Sequence, residues 1–176
     1  RPPRIPGVWV GVLLLGFGVL GAANGWAETG VGRLQLDPHH TVVAFHLAGR
    51  LNDTHGTLQV RQGMLEVDPA TGTAGGAVVV DATSGESGNA WRDTRMASLV
   101  LEAGPFPEIL FRPVLVDGQR QPDGTFHAAL HGTLRLHGTE HTIAVAVDGR
   151  LVDDVLTARG HFSVPYVEWG LADPSI

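Results

Sequence analysis

Imidazole is plentiful in this chain of 176 residues, which carries nine histidines and no cysteine. His39 and His40, His46, His127, His131, His137, His141 and His161 could each offer a ring nitrogen to a divalent metal. His137 and His141 have the closest ligand-like spacing. They straddle a turn signal, His137-Gly-Thr-Glu140, so they are expected nearly opposite each other on two strands. Solvated or capping histidines are the leading reading and no metal ligand is assigned; a surface zinc or nickel site at this pair, in a His-rich metal-binding protein, is the alternative. Hydroxyl nucleophiles fare less well. Ser84, Ser87 and Ser98 lie in no Gly-x-Ser-x-Gly elbow. Asp93 and Glu102 have no evident partner for acid–base work, and an Asp after Arg92 suits the start of a helix, where the helix dipole favours a negative charge. No catalytic residue is assigned and no enzyme is expected.

Composition removes further classes. Without cysteine there are no disulfides, iron–sulfur clusters or thiol nucleophiles. All 12 basic residues are arginine, so a Schiff-base lysine and a lysine-bearing phosphate loop are excluded. A net charge of -6 argues against nucleic-acid partners, which need a basic footprint. No cofactor is called for. What remains to be read is how the apolar residues are arranged for burial.

The elements that would position such burial are mostly strands. Thr41–Leu47, Thr57–Val60, Met64–Val67, Ala77–Val80, Ile109–Val116, His127–Leu136, Thr142–Val147 and Val155–Val164 are rich in β-formers. Ile143, Val145 and Val147 fall on one face of their strand. Pro113 implies an edge or bulge, and Asp68-Pro69, Asp117-Gly118 and Asp123-Gly124 read as turns. The one helical pattern runs over residues 89–101. Asn89 is its N-cap, Gly104-Pro105 is its stop, and Trp91, Arg92, Met96, Leu99, Val100 and Ala103 form a broad stripe. About eight strands and one short helix make an all-β antiparallel barrel or sandwich of one domain.

The first residues form a separate object. Arg1 and Arg4 precede an apolar run from Ile5 to Leu20, and Gly25-Trp-Ala27 precedes Glu28. This is the charged, apolar and small-residue order of an export signal. Residues 1–27 are therefore read as a signal peptide, with an uncleaved anchor as the alternative, and residues 28–176 as the domain. Localisation is expected to be periplasmic or secreted.

From about Leu34 to Ile176 the chain resembles the YceI-like family. Leu36-Asp-Pro-His-His-Thr41 is similar to that family's opening Asp-Pro-x-His-Ser strand, and His55-Gly56 to its glycine-bearing strand. Ser87-Gly88 leads into Arg92-Asp-Thr-Arg-Met96, similar to Arg-Asp-x-His-Leu with Arg95 in the His position. Pro107-Glu-Ile-Leu-Phe111 matches Pro-x-Ile-x-Phe. Gly132-Thr-Leu-Arg-Leu-His-Gly-Thr139 follows the next motif with its Thr one place early, and Tyr166-Val-Glu-Trp-Gly170 lacks the family's Arg. The resemblance implies a lipocalin-like antiparallel β-barrel of about eight strands, exported to the periplasm. It implies a partner that is a long-chain isoprenoid, a quinone or a fatty-acid-type lipid, carried or sequestered; a homodimer is left open. It also implies one strand more than the chain supplies after Pro174-Ser-Ile176.

A small barrel either fills its interior with side chains or holds one ligand. Strands rich in Val, Ala and Gly leave room. Each buried methylene contributes about 0.8 kcal/mol, so ten give on the order of 8 kcal/mol before ordering costs. Phe45, Leu47, Phe111, Leu134, Val145 and Phe162 are the lining candidates, with Trp91 and Met96 covering the mouth from the helix. The same residues would serve as ordinary core, and a one-residue slip would turn each outward.

Overall fold

The computed structural model describes residues 32–47 and 53–172, together with the backbone path of 9–17. The strands are β1 (Trp9–Phe17), β2 (Gly32–Gln35), β3 (Thr41–Leu47), β4 (Thr54–Val67), β5 (Ala74–Glu86), β6 (Glu108–Arg120), β7 (Thr125–Leu136), β8 (Thr139–Val152) and β9 (Val155–Val164). A helix, α1 (Ala90–Arg95), continues into a π-helical turn, Met96–Val100, between β5 and β6. Every strand pairing is antiparallel. The sheet runs β2-β4-β3-β1-β9-β8-β7-β6-β5, and β5 returns to β4, so eight of the strands curl around one interior. An all-β, antiparallel, barrel-like fold with one short helix agrees with the reading from sequence.

The central part of the segment read as an export signal is β1, which lies between β3 and β9. Residues 1–8 and 18–27 lie outside the described residues, so the boundary at residue 27 does too.

Three local differences have physical causes. Thr57–Val60 and Met64–Val67 are a single strand, β4. Its buried positions change parity, from Leu58 and Val60 to Gly63 and Leu65. Register shifts against β5 at Thr57/Gln59 and Val60/Gln62 account for the change of phase. Asp117-Gly118 is not a turn but lies within β6, paired to Ala129 and Ala128. A Cβ at Gly118 would stand 2.4 Å from the His127 carbonyl oxygen, so glycine there permits close strand approach. The turn between β7 and β8 is shorter than expected. His137 and Gly138 alone make it, with φ of 53° and 73°, the left-handed pair of a type I′ hairpin. Thr139 and Glu140 already pair with Leu136 and Arg135. Two expectations held in detail: the strand continues past Pro113 through a register shift, and Asn89 caps α1 by accepting from the Arg92 backbone N–H at 3.1 Å.

The helical stripe divides. α1 buries none of its residues, whereas the π turn buries Met96 and Val100. The Leu101 N–H reaches the Met96 carbonyl, one residue beyond α spacing. This change of phase turns Met96, Val100, Leu101 and Ala103 inward and leaves Leu99 and Trp91 exposed. The core gathers side chains from β2 to β9, the π turn, Tyr166 and Leu171, with Leu36, at 2 % exposure, the largest of its fully buried side chains.

Candidate functional site: an apolar cavity inside the curled sheet

Strand alternation builds the site. Side chains two apart share a face, so one buried position commits its neighbours at i ± 2. Val78 and Val80 on β5, Ile109 and Phe111 on β6, Leu134 and Leu136 on β7, Ile143, Val145 and Val147 on β8, and Phe162 and Val164 on β9 all point inward on this rule. They enclose a cavity of about 120 Å³. Among the described residues, no polar or charged one lines it. Phe111, Phe162 and Ile109 face the interior and remain only half-buried.

Met96 covers the cavity from the π turn, with Leu101 beside it and Leu171 of the C-terminal loop completing the wall. Gly85 makes room for Met96, since a Cβ there would fall 2.2 Å from the Met96 methyl. The Phe45 ring lies across its cross-strand partner Gly56, whose Cβ would come 2.3 Å from the ring's Cζ. A side chain at residue 56 would displace this wall.

Of the lining candidates, Phe45, Met96, Phe111, Leu134, Val145 and Phe162 meet at the cavity. Leu47 is buried in the same core but lies off the cavity wall. Trp91 does not cover the mouth: it is 70 % exposed, and the Arg95 guanidinium sits 4.9 Å over its ring. Its place on α1, ahead of the π turn, carries it outward. Ile143 and Val147 were legible from their spacing with Val145. Leu101 was hidden by the π turn, and Leu171 carries no periodic signal.

The polar candidates are occupied elsewhere. Asp93 accepts from the Ser87 backbone N–H at 2.8 Å and its hydroxyl at 2.5 Å, tying the loop to the helix it precedes. Glu102 bonds His137, which links the segment after the π turn to the β7–β8 turn. His137 and His141 do not face each other: His137 is in the turn, whereas His141 is opposite Leu134 and stacks on Trp169 with ring centroids 3.8 Å apart. The alternative metal site at these two residues is therefore not assembled. On the outer face, Arg61 joins Asp81 and Glu108 across β4, β5 and β6. Burial raises the Asp81 pKa, but hydrogen bonds from Thr83 and Arg61 outweigh it and hold the carboxyl below its usual range.

The sequence pattern of the YceI-like domain matches residues 34–175. The chain belongs to the YceI-like family. Among solved structures, this YceI-like domain is similar to a polyisoprenoid binding domain from Saccharophagus degradans implicated in plant cell wall breakdown. The TM-score is 0.53 at 11 % identity, covering 76 % of this chain and 98 % of that one. It is also similar to BcnA of Burkholderia cenocepacia, with a TM-score of 0.42 at 12 % identity over 88 % and 96 % of the two chains. No curated protein sequence matches it. At these identities the likeness is one of fold.

Proposed function

We propose that this YceI-like protein binds the tail of a long-chain isoprenoid inside its curled sheet and carries or sequesters it outside the cytoplasm, without catalysis. The observation that carries the reading is the cavity whose described lining residues are all apolar. Such a space favours hydrocarbon and rejects any group that keeps its hydrogen bonds in water. The Saccharophagus domain of similar fold, described as polyisoprenoid-binding, supports the same ligand class.

Size refines the proposal. A cavity of about 150 Å³ accepts benzene. The 120 Å³ seen here holds roughly one five-carbon isoprene unit at a time. A longer tail requires the cover to move. Met96 is suited to that, being an unbranched, flexible side chain on a π turn. Quinones and fatty-acid derivatives present similar tails, and the test separates them.

The test is solvent extraction of the purified protein followed by mass spectrometry, with thermal melting in added prenyl lipids, quinones and fatty acids. A stoichiometric prenyl lipid, or a melting temperature raised most by prenyl chains, supports the reading. Neither lipid nor a shift overturns it. Export is supported by the order of Arg1, Arg4, the apolar run and the small residues before Glu28. Sequencing the N-terminus of the protein recovered from a bacterial periplasm checks it.

A further inference from the structure

We propose that His46, Asp53 and His55 form a binding site for one divalent transition-metal ion of the zinc class, on the outer face of the sheet and separate from the lipid cavity. His46 and His55 are direct cross-strand partners on β3 and β4. Their rings stack in parallel, with centroids 4.3 Å apart and planes 8° from each other. Asp53 immediately precedes β4, and its Oδ2 lies 3.2 Å from His46 Nε2. One donor atom from each residue falls within 4.8 Å of the other two.

The second observation is an unmet need. His46 Nε2 is shielded from solvent and makes no hydrogen bond, because its approach to Asp53 has the distance but not the angle of one. Such a nitrogen forfeits the hydrogen bond it had in water. A metal ion satisfies it. Neutral imidazole and carboxylate are zinc's own donors, at about 2.0–2.2 Å, which places tetrahedral donors roughly 3.4 Å apart. No two of the donors are more than 4.8 Å apart, so the widest separation closes by at most about 1.4 Å. The torsion that fans the two stacked rings apart is the broad χ2 of histidine. Two imidazoles and one carboxylate leave the fourth position open. His46 and His55 border a recess of about 390 Å³, lined also by Thr57, Glu86 and Ser87, with ample room for water.

The site does not depend on the lipid reading, since its residues face away from the cavity. Phe45 and Ala44 border both spaces and form the wall between them. The experiment is titration of chelator-treated full-length protein with zinc chloride by calorimetry, and with cobalt(II) by visible absorption. One equivalent of zinc with a raised melting temperature is expected. His46→Gln, His55→Gln and Asp53→Asn are each expected to weaken binding by at least about tenfold, while a His137→Gln/His141→Gln variant binds as the parent does. His55 and Asp53 are exposed, so their variants report on binding rather than folding. Zinc binding that survives His55→Gln and Asp53→Asn, or affinity weaker than on the order of 100 μM in the parent, overturns the proposal.

Discussion

Val145 is a small residue at a crowded address. It is 4 % exposed, borders the cavity and packs against Gly160, whose Cβ would meet its methyl at 2.9 Å. Its size leaves space rather than filling it. Replacing it with tryptophan adds bulk comparable to the empty volume. Val145→Trp should therefore abolish the rise in melting temperature caused by a prenyl lipid, while overpacking costs about 1–3 kcal/mol of stability without ligand. Thermal melting with and without lipid reads both effects. A lipid-induced shift that survives would place the tail elsewhere. Residue-scale reading was most secure where side-chain type and strand parity agreed, as for Leu134, Val145 and Phe162. It was least secure for Trp91, because a bulky aromatic on a helix looks like a lid whichever way the helix is turned.

At the scale of elements, β4, β5 and β6 are held together on their outer face by Arg61, Asp81 and Glu108. The Asp81 carboxyl is held below its ordinary range, so the folded state prefers the charged form. The unfolded chain takes up the proton first, near pH 3.9. The contribution is thus complete above that pH and is lost as pH falls toward the lower folded value. Stability should decline on acidification below about pH 4, and Asp81→Asn should flatten that decline while costing roughly 1 kcal/mol at neutral pH. Urea unfolding at a series of pH values measures it; an unchanged acid limb in the variant would remove Asp81 from the account. The same strands show why element boundaries are hard to read from sequence. The bulges of β4 reverse its buried parity, so one strand looks like two. Gly118 looks like half a turn, although it serves close packing within β6.

At the scale of the molecule, β1 bridges β3 and β9 and so completes the ring of pairings. If residues 1–27 are removed as an export signal, those two strands lose their partner and present unpaired edges, which invite pairing with another chain. Residues 28–176 prepared alone are expected to self-associate in sedimentation, whereas the full chain remains monomeric. A monomeric 28–176 with unchanged stability would show that β1 contributes nothing to closure. This connects two readings that sequence kept apart, the export segment and the homodimer.

Composition and pattern by themselves determined that the chain is all-β, antiparallel and carries one short capped helix. Those features rest on local causes: β-branched alternation, turn residues and an Asn that satisfies an exposed N–H. The ordered motifs also pointed to the YceI-like family. Only the tertiary structure decided which inward faces enclose a void and which merely touch. A void is a property of several strands at once, and no strand encodes the gap between itself and the others. For the same reason the histidines with ligand-like spacing, His137 and His141, go separate ways, while His46 and His55, nine positions apart, meet across a strand pair.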